Sequence, residues 1–239
     1  MDRTDSFLVE GRIAVEALIN AGHFTVESIL LEKGKHEELR ARLSESDIPF
    51  QLGSRRELQS EAGYDFHRGV LAKVKRPAPI TPTPEELDDK ERLVLPLGLA
   101  DPGNLGTVVR NSVAFGADGI VVEQNNGADI WGRKAIRASA TGVFRVPIYE
   151  LEDVPGFLEH ARGRGFLVFG TSLSGGAGPL SEVKPTRKSI VLLGTESHGL
   201  SSAVESLCDE LIYIPMKQGM DSLNVGSTSA IVCHHLFQG

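Results

Sequence analysis

The chain has 239 residues, 41% hydrophobic and 24% charged, with a net charge of −7. That is enough apolar material for one large or two small globular domains, and the acidic balance excludes a general nucleic-acid coat protein. No apolar run reaches the about 18 residues of a membrane span, the opening MDRTDSFLVE lacks a secretory layout, and two cysteines, Cys208 and Cys233, do not make a disulfide framework, so a reducing, cytoplasmic setting is expected.

From the N-terminus, residues 12–21 are predicted as a helix. Ile13, Ala14, Ala17 and Leu18 share one face, and Gly22 suits the stop. Residues 28–31, 50–52 and 69–74 read as strands, and residues 37–43 and 55–60 as short helices. Together they predict a small α/β unit over residues 1–76. It carries 12 basic and 13 acidic side chains and is nearly neutral. The segment PAPITPTPEELDDKE follows, with four prolines in its first eight residues and then five acids. Proline resists both helix and ladder pairing and extends the chain, so residues 77–92 are expected to be a linker.

Residues 93–239 predict a second α/β domain. Apolar strands at 93–99, 119–122, 145–149, 166–169, 190–193 and 211–214 alternate with helical stretches. Near-continuous apolar runs such as IVLLG fit a parallel sheet covered on both faces, joined by right-handed crossovers. No acid occurs between Asp129 and Glu150, yet Arg133, Lys134, Arg137 and Arg145 do. This positive stretch reads either as a solvated face or as a contact surface for an anionic substrate such as a phosphate backbone.

Chemistry-bearing residues gather at three strand-to-loop-to-helix junctions. Open α/β sheets bind ligands at such places, at the carboxyl ends of their strands. The first junction is DPGNLGTVVRNSVAFG, residues 101–116. Pro102 and Gly103 turn the chain, and Asn104 is read as the helix N-cap. Leu105, Val108, Val109 and Ser112 face the sheet, Gly116 suits the helix end, and Arg110 falls outside the apolar stripe. Asn104 and Arg110 read as a cap and a solvated cation, or as an amide that orients a substrate and a guanidinium that clamps a phosphate. The second junction is LLGTESHGLS, residues 192–201. Gly194 lets a ligand approach the backbone, and Glu196 is either a buried carboxylate held by amides or a catalytic group.

The third junction is IPMKQGMDSLNVGSTSA, residues 214–230. Ser222 and Asn224 there either cap a helix or leave its amides for an anion. Cys233, His234 and His235 are consecutive and fan around a helix, which makes a poor metal site. GTSLSGG, residues 170–176, follows a strand as a nucleotide loop does but lacks the P-loop lysine. The absence of GxGxxG disfavours a nucleotide-binding dehydrogenase, and the absence of GxSxG disfavours a hydrolase elbow.

The three junction segments resemble, in order, motifs one, two and three of the SpoU (TrmH-like) family of RNA 2′-O-ribose methyltransferases, within the SPOUT class. RASATGVFRVP is similar to the stretch between motifs one and two, and the likeness spans the chain after the linker. Residues 1–76, opening with VEGRIAVEAL and closing with HRGVLAKV, resemble the substrate-binding domain of the ribosomal-RNA branch, itself similar to the L30e/L7Ae ribosomal-protein fold. The resemblance implies a catalytic domain with a deep trefoil knot, S-adenosylmethionine as cofactor, no metal, and a homodimer. It implies that Arg110 activates the ribose hydroxyl or clamps a phosphate, that Asn104 positions the ribose, and that Glu196, Ser222 and Asn224 complete the catalytic group. Gly194, Ile214, Met216 and Leu223 then hold the cofactor, and Arg133, Lys134, Arg137 and Arg145 are candidate RNA contacts.

The implied substrate is ribosomal RNA, with a guanosine of the 23S molecule favoured. Transfer RNA is the alternative that the extra N-terminal domain speaks against. A non-catalytic RNA-binding protein is the alternative that the retained motif residues speak against. Three positions depart from the family pattern: Gly226 stands where Ser or Ala is frequent, Asn111-Ser112 where Thr-Ala is common, and HRGV where HQGV is usual.

Overall fold

The computed structural model describes residues 5–65, 68–195, 199–217 and 222–237. In chain order its first elements are β1 (Ser6–Glu10), α1 (Arg12–Ala21), β2 (Val26–Glu32), α2 (Glu37–Ser44), β3 (Phe50–Gly53), α3 (Arg55–Ala62) and β4 (Val70–Lys75). The four strands make one sheet in the order β1-β4-β2-β3. β4 runs antiparallel to both β1 and β2, and only β2 and β3 are parallel. Helix α1 has its expected bounds, closed by Gly22 in the left-handed region at φ 75°. α3 opens on a capping box in which Ser54 and Glu57 satisfy each other's backbone amides. Strand β1 is an addition to the sequence reading. Its five residues alternate, with Phe7 and Val9 turned inward.

The proline- and acid-rich stretch is strapped to the second sheet. Helix α4 (Pro84–Asp88) forms within it, started by a capping box of Thr83 and Glu86. Leu87 is buried. Lys188 Nζ donates to the carbonyls of Leu87 and Asp88 at 3.3 and 3.2 Å, and Arg164 pairs with Asp88 at 2.5 Å. Upstream, the Glu150 amide donates to Ile80 O at 3.0 Å.

The larger part follows as β5 (Arg92–Pro96), α5 (Pro102–Ala114), β6 (Gly119–Glu123), α6 (Arg133–Ala138), β7 (Ile148–Leu151), α7 (Val154–Gly163), β8 (Leu167–Thr171), β9 (Gly178–Pro179), β10 (Ser189–Leu193), α8 (Ser202–Glu205), β11 (Glu210–Tyr213) and α9 (Val225–Leu236). Its seven strands form a wholly parallel sheet in the order β7-β6-β5-β10-β8-β11-β9. The strand expected from residue 145 starts at Ile148 instead. Arg145 follows a tight helical turn, Gly142–Phe144, and Pro147 separates it from the ladder. Buried side chains cover both faces of the sheet, as the apolar runs require. α7 packs on one face with Phe157 and Leu158, and α5 and α9 lie on the other.

One apolar cluster runs through both sheets. Trp131 meets Phe7 at 5.3 Å between ring centroids and Phe24 at 5.7 Å, and Phe24 meets Phe144 edge-on at 5.4 Å. Aromatic pairs in this geometry add to simple burial. Beside them Arg76 grips Asp129 through two parallel bonds of 2.9 and 2.6 Å. These contacts fix the small sheet against the α6 side of the large one.

Candidate active site

The chain leaves β8 at Thr171, β10 at Leu193 and β11 at Tyr213, all at the carboxyl end of the sheet. The three loops and the start of α9 enclose a cavity of about 490 Å³. Gly194, Ile214, Met216, Ser222 and Leu223 all line it. Gly194 is required there by packing. A Cβ on it would fall 2.2 Å from the carbonyl carbon of Gly199. Thr195 and Gly199 exchange backbone bonds of 3.1 and 2.9 Å. Glu196 lies outside the described residues.

The cap of α5 is Asp101, not Asn104. The Asp101 carboxylate accepts from the Asn104 amide at 2.9 Å, and Pro102 occupies the first turn. Proline at that position has no amide to lose and a backbone angle suited to the helix, so the cap falls on the residue before it. The Asn104 side chain instead turns toward α9. Its Oδ1 accepts from Asn224 Nδ2 at 3.2 Å. Asn224 is itself the cap of α9, taking the Gly226 amide at 2.8 Å. Further along α5, Asn111 donates to Gly226 O at 2.7 Å and to Ser229 Oγ at 3.0 Å. Motifs one and three thus meet along a polar seam between α5 and α9.

Two of the family departures are explained by this seam. Asn111 supplies its central bonds. Gly226 allows the close approach, since a Cβ there would sit 2.6 Å from Thr107 Cγ2. Ser112, on the buried side of α5, donates to Val108 O and faces Cys233. Burial pushes the Cys233 thiol up to about 12.

Arg110 is exposed on α5, and its side chain makes no hydrogen bond or ion pair among the described residues. Asn104, Arg110 and Asn224 stand outside the cavity wall, Asn224 between the lining residues Leu223 and Val225. The positive stretch divides in two. Arg133 is engaged by the small sheet: it pairs with Glu10 at 3.2 Å, donates to Ala62 O at 2.6 Å and stacks on Tyr64. Lys134 pairs with Asp101 at 2.5 Å, which, ahead of the Asn104 amide, holds the Asp101 carboxyl below its usual range. Arg137 and Arg145 are exposed, and their side chains make no hydrogen bond or ion pair among the described residues. No cluster of metal-ligating side chains occurs among the described residues either.

Residues 92–234 match the model of the SpoU rRNA methylase family. The chain belongs to that family. Residues 8–80 of this SpoU protein also match the model for RNA 2′-O ribose methyltransferase substrate binding. It is 29% identical to the 23S rRNA (guanosine-2′-O-)-methyltransferase RlmB of Acinetobacter baylyi, over 92% of each chain. To the 23S rRNA (guanosine(2553)-2′-O)-methyltransferase RlmP of Bacillus subtilis it is 27% identical, over 98% of this chain and 89% of the other. Its fold is similar to that of the SpoU methyltransferase AviRb from Streptomyces viridochromogenes, solved with AdoMet. The TM-score is 0.84 at 24% identity, covering 98% of this chain and 89% of that one.

The SpoU motifs do not account for the whole cavity. Thr171, Ser172, Leu173 and Ser174 form one wall of it. The GTSLSGG loop had signalled this only by following a strand. Ser172 Oγ donates to Glu205, which supplies the one carboxylate lining the cavity among the described residues. Glu205 sits in the four-residue α8, and nothing in the sequence around it marks it.

Proposed function

We propose that this SpoU-family chain is an S-adenosylmethionine-dependent RNA 2′-O-ribose methyltransferase that acts on ribosomal RNA, at a guanosine of the 23S molecule. The observation that carries this reading is the cavity at the second and third motif junctions, with the first motif joined to its edge through the Asn104–Asn224 contact. The residues present fit the cofactor. Leu200, Ile212 and Leu223 offer apolar walls for a base, and Ser172 with Glu205 offers acceptors for sugar hydroxyls. A few convergent polar groups in an otherwise apolar pocket are the usual make-up of a small-molecule site. S-adenosylmethionine supplies, when bound, a methyl group already activated by a sulfonium, so the chemistry calls for no metal.

The protein's own task is to hold and polarise the ribose. Asn104 and Asn224, tied to each other, orient the sugar, and Ser222 holds a neighbouring group. Arg110 projects from the same helix as Asn104. Arginine stays protonated at all working pH values, so its firm role is to clamp the phosphate next to the target ribose and to stabilise the negative charge that builds on the 2′-oxygen as its proton passes to that phosphate or to water. Glu196 completes this group by family likeness. Arg137 and Arg145 are proposed as RNA contacts on electrostatic grounds, while Arg133 and Lys134 act mainly within the fold. Residues 1–76 serve as an L30e-like RNA-binding domain, joined by residues 77–92 to a catalytic domain over residues 93–239.

Three further features belong to the same proposal. The C-terminal part is threaded as a trefoil knot, a reading supported by β10 lying between β5 and β8 in the sheet. The working unit is a homodimer, a reading supported by Ile231, exposed on α9. The setting is cytoplasmic, consistent with no described helix being long and apolar enough to cross a membrane.

The test is Arg110→Ala assayed on unmodified 23S ribosomal RNA with labelled S-adenosylmethionine. Methyl transfer falls to background, while calorimetry gives an unchanged cofactor Kd. Loss of cofactor binding in that variant overturns the assignment of Arg110. A wild-type chain that leaves the 2′-O-methyl map unchanged overturns the activity.

A further inference from the structure

A second cavity, of about 640 Å³, opens between the small sheet and α6. Residues 9–12 and 68–70, near the two ends of the N-terminal unit, come together on its wall. The Gly11 amide donates to Val70 O at 2.9 Å. Gly11 has φ +89°, and a Cβ on it would lie 3.1 Å from Arg68 Cδ, so the Arg68 side chain lies directly over this glycine. His36 Nε2 sits 3.1 Å from Arg68 O and holds the backbone of that turn. The opposite wall is α6, with Arg133, Ile136 and Arg137.

Four arginines therefore line one cleft against a single carboxylate, Glu10. Two of the four are neutralised in place. Arg12 pairs with Glu16 and Glu38, each at 2.8 Å, and Arg133 pairs with Glu10. The side chains of Arg68 and Arg137 make no hydrogen bond or ion pair among the described residues, and they come from opposite walls. At the rim Ile13 is 77% exposed, an unusual place for a large apolar side chain in a charged surround. The Glu10–Arg133–Tyr64 cluster, with Tyr64 Oη donating to Glu10 at 2.5 Å, fixes the spacing of the walls. α6 also abuts α5. A Cβ on Gly106 would fall 2.3 Å from Ala135 O, and Lys134 is bound to the α5 cap. The cleft is thus separated by one helix from the element that carries Arg110.

We propose that this cleft holds a single-stranded stretch of RNA. Arg68 and Arg137 grip its phosphates from either side, and Ile13 lies under a base. Facing guanidiniums without acid partners match a phosphodiester chain. An exposed apolar side chain beside them suits an unstacked base, the form in which RNA sequence is usually read. The inference rests on the RNA reading above and deepens it by naming where substrate is held away from the reacting ribose.

The test measures fluorescence anisotropy of a fluorescein-labelled RNA hairpin with a single-stranded loop, across a salt series. On a single strand, each phosphate that a cation neutralises adds about 0.7 to the slope of log affinity against log salt. The Arg68→Ala/Arg137→Ala double variant is expected to have a slope shallower by about 1.4, a weakening of about 25-fold at about 0.1 M salt if affinity at about 1 M is unchanged. Ile13→Ser is expected to weaken binding with the slope intact, because an apolar contact releases no counterion. Unchanged thermal unfolding and cofactor affinity establish that the variants are folded. Wild-type binding with an unchanged slope in the double variant overturns the cleft alone. Failure of the wild-type chain to bind the hairpin at low salt overturns the RNA reading and this inference with it.

Discussion

Replacing Gly226 by Ala tests the seam between α5 and α9 where the family pattern and this chain part company. The added Cβ would stand 2.6 Å from Thr107 Cγ2 and 3.0 Å from Asn224 Oδ1. Carbon atoms in good contact are about 3.5–4.0 Å apart, so about 1 Å must be made up by movement. Thr107 does not yield easily. It is β-branched, and its hydroxyl is bonded to Gly103 O at 2.8 Å. Overpacking of this kind costs about 1–3 kcal/mol. The lower backbone entropy of Ala in a helix returns about 0.5–1 kcal/mol, for a net loss of about 1–2 kcal/mol. Thr107→Ala removes the clashing methyl, so the double variant recovers most of that loss, with a coupling of similar size in a double-mutant cycle. Urea unfolding of the two single variants and the double reads it directly. Methyl transfer follows the same order, because the shift that relieves Thr107 also displaces Asn224. Gly226→Ala as stable as the wild type, or a double variant no more stable than the additive sum, refutes the reasoning.

Two other outcomes follow from the site. Glu205→Gln exchanges a charged acceptor for a neutral one, a difference of about 1–2 kcal/mol. Calorimetry is expected to show about tenfold weaker binding, equal for S-adenosylmethionine and S-adenosylhomocysteine because both carry the ribose; an unchanged Kd removes Glu205 from the site. Cys233 makes stability pH-dependent on the alkaline side. Its thiol is raised to about 12 in the fold, against about 8.5 in an unfolded chain. Below about pH 8.5 both states keep the proton; above it the unfolded chain releases its proton while the fold retains it, so stability falls by about 1.4 kcal/mol per pH unit. Cys208, raised to about 11, acts in the same direction. The loss of stability between about pH 8 and about pH 10 is therefore smaller in Cys233→Ala than in the wild type, and an equal loss refutes the assignment.

What the sequence made legible was local. Helix α1 could be bounded because its apolar residues and its terminal Gly22 lie within eleven residues, although its buried face turns on Val15 and Leu18 and leaves Ile13, expected on that face, exposed. Six of the seven strands of the large sheet were legible because burial on both faces leaves runs of Val, Ile and Leu; β9, two residues long and only partly buried, carries no such run. β1 escaped because its inward residues Phe7 and Val9 are defined by partners far along the chain, Trp131 among them. The Asp101 cap was readable in principle from Pro102 beside it, and was hidden by Asn104 competing for the same role. Asn104's bond to Asn224 spans 120 positions, which no spacing rule reaches. Arg133 and Arg137 are four residues apart on one helix and look alike in sequence. Only docking of the small sheet separates them, since Glu10 reaches the first and not the second. Glu205 had no signal, because its role comes from where β8 places Ser172.

The aromatic contact among Phe7, Phe24, Trp131 and Phe144 has a consequence for how this chain can be rearranged. The proline-rich stretch is the obvious place to divide the chain, yet a break there leaves Phe7 and Phe24 uncovered on one half and Trp131 and Phe144 on the other. The halves are therefore not interchangeable parts. A targeting half borrowed from a relative must bring a matching set of rings, or the recipient's indole is left facing water and the graft becomes an aggregation-prone product rather than a retargeted enzyme.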